Sequence, residues 1–256
     1  MKKPFLLLLA LVLPAPGAGQ AILNVEALQG AEDEAFHAEV SGRLRLDSGN
    51  TDLFQIGGDV GLGILGDRHW IRGFGGMERL ERKGKDILNN RYVHLRYNYR
   101  FSEELRTFQF FQVQANENLF LDRRWLLGTG LRYRLVGGDE ARLEVGSGFM
   151  WEAERLNPEK LTGEEDPETE TVRMANLLVG SGPIGERHRW VTVVYYQPTV
   201  EDFGDYRLSG ELGLEMEVVA SLDLNVTFTW RHDNRAPVGL EEDDLGFRTG
   251  FTYHIR

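Results

Sequence analysis

Apolar and polar residues alternate along nearly all of this chain, in units of about ten residues that each close in a turn. The last unit is the cleanest. Leu245, Phe247, Thr249, Phe251, Tyr253 and Ile255 share one parity, and Gly246, Arg248, Gly250, Thr252 and His254 share the other. A β-strand sends successive side chains to opposite faces, so such a segment has one apolar and one polar face. The pattern predicts an all-β fold, an antiparallel transmembrane β-barrel of about 12 strands over residues 35–256.

The first strand runs from about Ala35 to Leu46, with Phe36, Ala38, Val40, Leu44 and Leu46 outward and His37, Glu39, Ser41, Arg43 and Arg45 inward. The second carries Phe54, Ile56, Val60, Leu62 and Ile64 on one side, and the third covers about His69 to Leu80. The fourth sets Val93, Leu95, Tyr97, Tyr99 and Phe101 against His94, Arg96, Asn98 and Arg100. In the fifth, about Leu105 to Ala115, Phe108, Phe110 and Phe111 cannot share a face, which suggests a bulge. The sixth sets Leu127, Leu131, Tyr133 and Leu135 against Gly128, Gly130, Arg132 and Arg134; the seventh sets Leu143, Val145, Phe149 and Trp151 against Glu144 and Glu152. The eighth spans about Thr171 to Gly180, and the ninth is apolar on both faces over Val191 to Val194. The tenth sets Tyr206, Leu208, Leu212, Leu214 and Met216 against Arg207, Ser209, Glu211 and Glu215. In the eleventh, Leu222, Leu224, Val226, Phe228 and Trp230 oppose Asp223, Asn225, Thr227, Thr229 and Arg231.

After the first hairpin the connections alternate in length. Short ones fall at Gly66, Ser102, Gly137, Gly185 and Ala220. Longer ones are expected at Glu81–Asn89, Asn116–Asp122, Leu156–Glu170, Pro198–Asp205 and Asp233–Glu242. Outer-membrane barrels have short periplasmic turns and longer external loops, so this alternation puts the long connections outside. Trp70, Trp125, Trp151, Trp190 and Trp230 lie near strand ends, where an interfacial girdle would place them.

The start of the chain agrees. Lys2 and Lys3 precede an apolar run, Phe5 to Leu13, and small residues follow to Ala21, which reads as a signal peptide over residues 1–21. Cleavage after Gly19 or after Ala21 fits equally, and residues 22–34 then form a short periplasmic segment. The apolar run is shorter than the roughly 20 residues a membrane helix needs. No later stretch is apolar enough to cross as a helix, so a membrane-spanning form must be a closed barrel. Zero cysteines exclude thiolate nucleophiles, Cys-ligated metals and disulfides. Taking the two leader lysines from the 29 basic residues leaves 27 against 40 acidic ones, a net charge of −13, which argues against a nucleic-acid partner.

Three stretches carry a family resemblance: the Ser-Gly-Asn-Thr-Asp turn at Ser48 to Asp52, the run Asp205 to Glu215, and the closing strand Asp244 to Tyr253 behind an Asn-x-x-Pro loop at Asn234 to Pro237. Together they resemble the bacterial salt-induced outer membrane protein family, also called domain of unknown function 481, over roughly Ala35 to the C-terminus. The resemblance implies a barrel, an outer-membrane location reached by export, and a link to salt stress. Its motifs are structural and imply no catalytic site. The chain ends Tyr253-His254-Ile255-Arg256, whereas barrel proteins often end in an aromatic residue.

The inward-facing charges are the candidate functional set. The basic ladder is Arg43, Arg45, Arg96, Arg100, Arg132, Arg134, Arg207, Arg231 and Arg248; Glu39, Glu144, Glu152, Glu211 and Glu215 interleave with it. Such a ladder can line a narrow pore and attract anions through charge-assisted hydrogen bonds. It can equally be salt-bridged into a plug that fills the interior, and about twelve strands is intermediate between filled and open barrels. Acidic runs at Glu164, Glu165, Asp166, Glu168, Glu170 and at Glu241, Glu242, Asp243, Asp244 read as solvated loops, without the spacing of a calcium loop.

Among the six histidines, His232-Asp233-Asn234 is the one mixed cluster, yet no serine stands beside it and neighbouring residues point to opposite faces. No glycine-rich phosphate loop leads from a strand into a helix. The sequence therefore predicts a non-enzymatic outer-membrane barrel, a narrow solute or anion channel or an envelope-stress structural protein, with no cofactor and no metal. Its expected surroundings are outer-membrane lipid, lipopolysaccharide and the barrel-assembly machinery; the oligomeric state is not legible. The alternatives are an outer-membrane hydrolase and a soluble periplasmic β-protein.

Overall fold

A computed structural model describes residues 22, 36–47, 53–83, 85–138, 141–161 and 166–255, with the side chains of 43–47, 85, 86, 248, 254 and 255 excepted. The expected leader, the N-terminal segment apart from Ile22, the Ser48–Asp52 turn, Glu164 and Glu165 lie outside the described residues.

Thirteen strand segments form one antiparallel sheet. In chain order they are β1 (Phe36–Asp47), β2 (Leu53–Leu65), β3 (His69–Arg82), β4 (Lys85–Tyr99), β5 (Leu105–Asn116), β6 (Leu121–Val136), β7 (Arg142–Leu156), β8 (Glu168–Met174), β9 (Asn176–Ile184), β10 (His188–Pro198), β11 (Tyr206–Val219), β12 (Leu222–Asp233) and β13 (Asp243–Ile255). Both β8 and β9 pair with β7, β8 against Phe149–Arg155 and β9 against Arg142–Gly146. They are two lengths of one strand interrupted at Ala175, so the wall has twelve strands. β1 meets β13 through Ala38, Glu39 and Val40, and the sheet closes into a barrel.

Closure follows from the two-faced strands. Val60, Leu62, Ile71, Val93, Leu95, Leu127, Leu131, Phe149, Leu212, Phe228, Phe247 and Phe251 are exposed around the outside. The opposite parity is buried or half-buried and mostly polar. Burying apolar surface is worth about 25 cal/mol per Å², so a belt like this in water would be a standing cost; hydrocarbon removes it.

Strand β5 corrects one expectation. It alternates without interruption across Phe108–Phe111: Phe108 and Phe110 are buried inside, and Phe111 faces out against Trp125 at 5.5 Å. The irregularity lies further on, between Gln114 and Asn116 in the pairing with β6. The phenylalanines fit inside because β6 offers them Gly128 and Gly130.

Two of the expected long connections are short. β3 and β4 pair as far as Arg82 and Lys85, so Glu81–Asn89 is a hairpin end. Asn116–Asp122 is a single 3-10 turn, Glu117–Leu119, capped by the Asn116 side chain. The long connections are those after β7, β10 and β12, and they share one end of the barrel. Trp70 also departs from the expected girdle. It is 3% exposed and sits inside beneath Arg72; Trp125, Trp151, Trp190 and Trp230 have the outward parity.

The barrel lumen as candidate functional site

The interior is layered along the barrel axis. At the short-turn end Glu144 on β7, 1% exposed, meets four guanidinium groups. Arg106 of β5 approaches at 2.7 Å and Arg134 of β6 at 3.4 Å; Arg132 of β6 and Arg142 of β7 complete the set. The register makes this possible, because Arg134 lies opposite Glu144 and Arg106 opposite Arg132. On the adjoining wall the Arg72 guanidinium stacks on Trp70 at 3.6 Å and donates to Asn98 Oδ1 at 2.9 Å. Arg96, beside Arg72 across β3 and β4, reaches Tyr195 Oη at 3.4 Å.

The middle layer is apolar. Phe108, Phe110, Leu126, Met150, Ala175, Leu177, Val179, Val191, Val193 and Tyr195 form one buried cluster, and Ile22 belongs to it. His94 stacks on Phe110 at 5.8 Å and shares a hydrogen bond with Gln112 at 2.9 Å.

The long-loop end holds a second ionic network. Glu152 pairs with Arg173 at 3.2 Å and Arg207 at 2.8 Å; Glu154 pairs with Arg124 at 2.5 Å. Arg207 also donates to Asp233 at 2.8 Å, and Arg173 to Asp205 at 2.9 Å. Buried charges are tolerable when each meets partners in good geometry, and here arginine and carboxylate interleave across β6, β7, β8, β11 and β12.

Filling is uneven around the circumference. From β4 to β10 the lumen face is packed: His94, Gln112, Leu126, Arg132 and Val193 are at most 1% exposed. Along β11–β13, β1 and β2 the inward residues Glu211, Glu215, Asn225, Thr227, Thr229, Ser41, Gln55 and Asp59 stay half-buried. There Asp59 accepts from Ser41 Oγ and Tyr92 Oη, both at 2.9 Å, and Gln55 donates to Glu78 at 2.8 Å.

The sequence-derived set divides over this map. Arg132, Arg134 and Glu144 meet at one end and Arg207 and Glu152 at the other; Arg231 pairs with Asp244 at the rim. Arg96 stands apart near Tyr195 and Phe110. Arg100 lies at the short-turn rim, where its backbone N–H donates to Arg68 O at 2.8 Å. Glu39 sits 3.8 Å from His37; Glu211 and Glu215 lie on the half-buried flank. Arg43, Arg45 and Arg248 hold register positions opposite Gly57, Gln55 and Thr227, and their side chains are outside the described set. Sequence reasoning missed Arg72, Arg106, Arg124, Arg142, Arg173 and Glu154. Parity would have found Arg124 and Glu154, which continue the Arg132 and Glu152 faces toward the strand ends.

The one candidate hydrolytic cluster is split by the wall. His232 faces Asp243 at 3.1 Å and packs against Tyr206 at 5.7 Å, while Asp233 turns inward to Arg207. Outside the wall, the Asn-x-x-Pro loop is a clamp. Asn234 Oδ1 accepts from Tyr206 N at 2.8 Å, and Arg235 pairs with Asp202 at 2.5 Å. The Asp202 carboxyl is held below its ordinary value, first by the Gly204 backbone N–H and then by Arg235.

A closed antiparallel cylinder with an apolar belt outside and layered charge inside is a β-barrel of the outer-membrane type. The chain belongs to the family described as protein of unknown function DUF481, matching it over residues 42–255. Comparison with curated proteins gives no sequence match. Among solved structures, the fold is similar to the NanC porin, at 9% identity and a TM-score of 0.52 over 86% of this chain and 100% of that one. It is also similar to the translocator domain of the autotransporter NalP from Neisseria meningitidis, at 11% identity and a TM-score of 0.52 over 89% of this chain and 92% of that one. These likenesses are of fold.

Proposed function

We propose that this protein is a non-enzymatic β-barrel of the bacterial outer membrane that conducts small solutes through a narrowed lumen. The observation that carries the reading is the half-buried polar flank of β11–β13, β1 and β2, facing a packed wall from β4 to β10. Inward side chains that retain accessible surface border free lumen volume, and a strip of Ser, Thr, Asn, Gln and carboxylates suits hydrated solutes. The long-loop layer interleaves arginine with carboxylate, while the short-turn layer gathers four arginines around Glu144, and that excess of basic groups favours anions over cations. Its surroundings would be outer-membrane lipid and lipopolysaccharide, with insertion by the barrel-assembly machinery.

A second reading, a structural barrel serving the envelope under salt stress, is favoured by the packed wall and its ion-pair layers. Single-channel recording in a planar bilayer, after heat-modifiable gel migration has verified closure, separates the two. Discrete steps with a reversal potential of anion-preferring sign under a salt gradient support the channel. A closed barrel that never conducts supports the structural role.

A further inference from the structure

Near its long-loop end the outer wall is basic on one side only. The outward strand positions there are Arg79 on β3, Arg91 on β4, Arg123 on β6 and Arg155 on β7, all exposed. Around the rest of that rim the described outward strand positions are aromatic, apolar or acidic, as at Phe54, Tyr196, Trp230 and Leu245. His232 comes nearest to a base, and it faces Asp243.

The register brings the four arginines into a row. Arg123 stands directly opposite Arg155. Arg91 stands opposite Ala115 on β5, which falls in the irregular register across from Asp122 and Arg123. Arg79 lies opposite Asn89, on the same side of β4 as Arg91. Strands lie about 4.8 Å apart, so the row from β3 to β7 covers about 19 Å of the lipid-facing wall.

Such a row calls for an anion, because like charges opposite one another in a sheet repel. The protein's own carboxylates answer only its ends. Arg79 pairs with Glu81 at 2.8 Å and Arg155 with Glu168 at 3.5 Å, both in exposed surroundings where ion pairs contribute little. Arg91 and Arg123 form no ion pair among the described residues, although Asp122 and Glu170 flank the row. Directly below, toward the middle of the membrane, the wall turns apolar. Met77, Val93, Leu127 and Trp151 are exposed there, and the Arg123 guanidinium lies 5.8 Å from the Trp125 ring.

We propose that Arg91 and Arg123, with Arg79 and Arg155 on either side, bind the phosphorylated headgroup of lipopolysaccharide, whose acyl chains lie on the apolar surface below. The long loops mark the external end, so the leaflet at this height is the outer one. Its lipid carries phosphates and several acyl chains on one headgroup, which matches a row of separated guanidinium groups above an apolar wall. The planar guanidinium fork takes phosphate oxygens in pairs. This site rests on the outer-membrane reading above and not on conduction.

The test is native mass spectrometry of the refolded, heat-modifiable barrel in detergent with added lipid A. The parent should retain lipid A, and Arg91→Gln/Arg123→Gln should retain at least about fivefold less. The control Arg187→Gln, at an exposed position in the turn between β9 and β10, should match the parent. Dephosphorylated lipid A, phosphatidylglycerol and inorganic phosphate should each be held more weakly than lipid A. Equal retention by the closed double variant and the parent overturns the site. Equal retention of dephosphorylated lipid A overturns phosphate recognition, and equal retention of phosphatidylglycerol or of inorganic phosphate overturns the choice of lipid. A barrel that binds lipid A through these arginines and never conducts upholds the site and overturns only the channel. Recovery of the native protein outside the outer membrane on fractionation overturns the location, and the occupant with it.

Discussion

A Cβ at Gly128 would meet the Phe110 ring at 2.2 Å, and one at Gly130 the Phe108 ring at 2.5 Å. These two glycines let the phenylalanines of β5 lie across β6 and seal the middle layer. Glu144 has the opposite character, since its place depends on charge. With Arg132 beside it at the same depth, removing the carboxylate leaves guanidinium groups buried without their anion, a loss of about 3–5 kcal/mol for pairs of this type. Glu144→Gln should therefore lower the urea midpoint of the refolded barrel markedly, whereas Arg134→Ala, at a partly exposed position, should shift it little. Equal midpoints for Glu144→Gln and the parent would show that the four arginines do not depend on it. The inward parity of Arg132, Arg134 and Glu144 is visible in the sequence. Their convergence is not, because it depends on the stagger between β5, β6 and β7, which alternation along one strand does not specify.

At the scale of elements, alternation located every strand of the wall but not how each one ends. The hairpin of β3 and β4 was hidden because Glu81 to Asn89 is too polar to show two faces, although the backbone pairs regardless. The interruption at Ala175 was hidden because Ala175 keeps the inward phase of Arg173 and Leu177, and its N–H still donates to Gly148 O at 2.8 Å. Trp70 reads as an interfacial residue by type and is an interior one by parity. The loops after β10 and β12 are joined by Asp202 and Arg235, and by Asn234 to Tyr206 N. Because the Asp202 pKa is depressed on folding, its contribution is present above the ordinary aspartate range and is lost as pH falls through the lower folded value. Amide exchange at Gly204 should therefore quicken, relative to the intrinsic rate, once the medium is acidified below that range, and Asp202→Asn should show the faster exchange already at neutral pH. Exchange that is insensitive to both would mean that the loop is held by Asn234 alone.

For the whole molecule, the cylinder, its inward charges and its long-loop end were legible, since each repeats from strand to strand. The uneven filling was not. It arises because Phe108, Phe110, Leu126, Met150 and Leu177 fall at one depth on adjacent strands, while the described inward positions of the opposite wall include Gly57, Gly61, Gly63, Gly213 and Gly250 along with Ser41, Thr227 and Thr229.

That imbalance makes the wall mechanically lopsided. Strands β4 to β10 are braced from within by close-packed side chains, and β11 and β12 by ion pairs at the long-loop end, while at mid-height the described residues of β11–β13, β1 and β2 add nothing to the apolar layer. Lateral pressure from the bilayer would then flatten the cylinder toward its lean side, changing the width of the aqueous strip before it disturbs the braced half. Hydrogen exchange in detergent should trace this breathing, with amides of β5 to β7 protected longest and those of β12 and β13 shortest; uniform protection around the circumference would mean that the barrel deforms as a single rigid hoop.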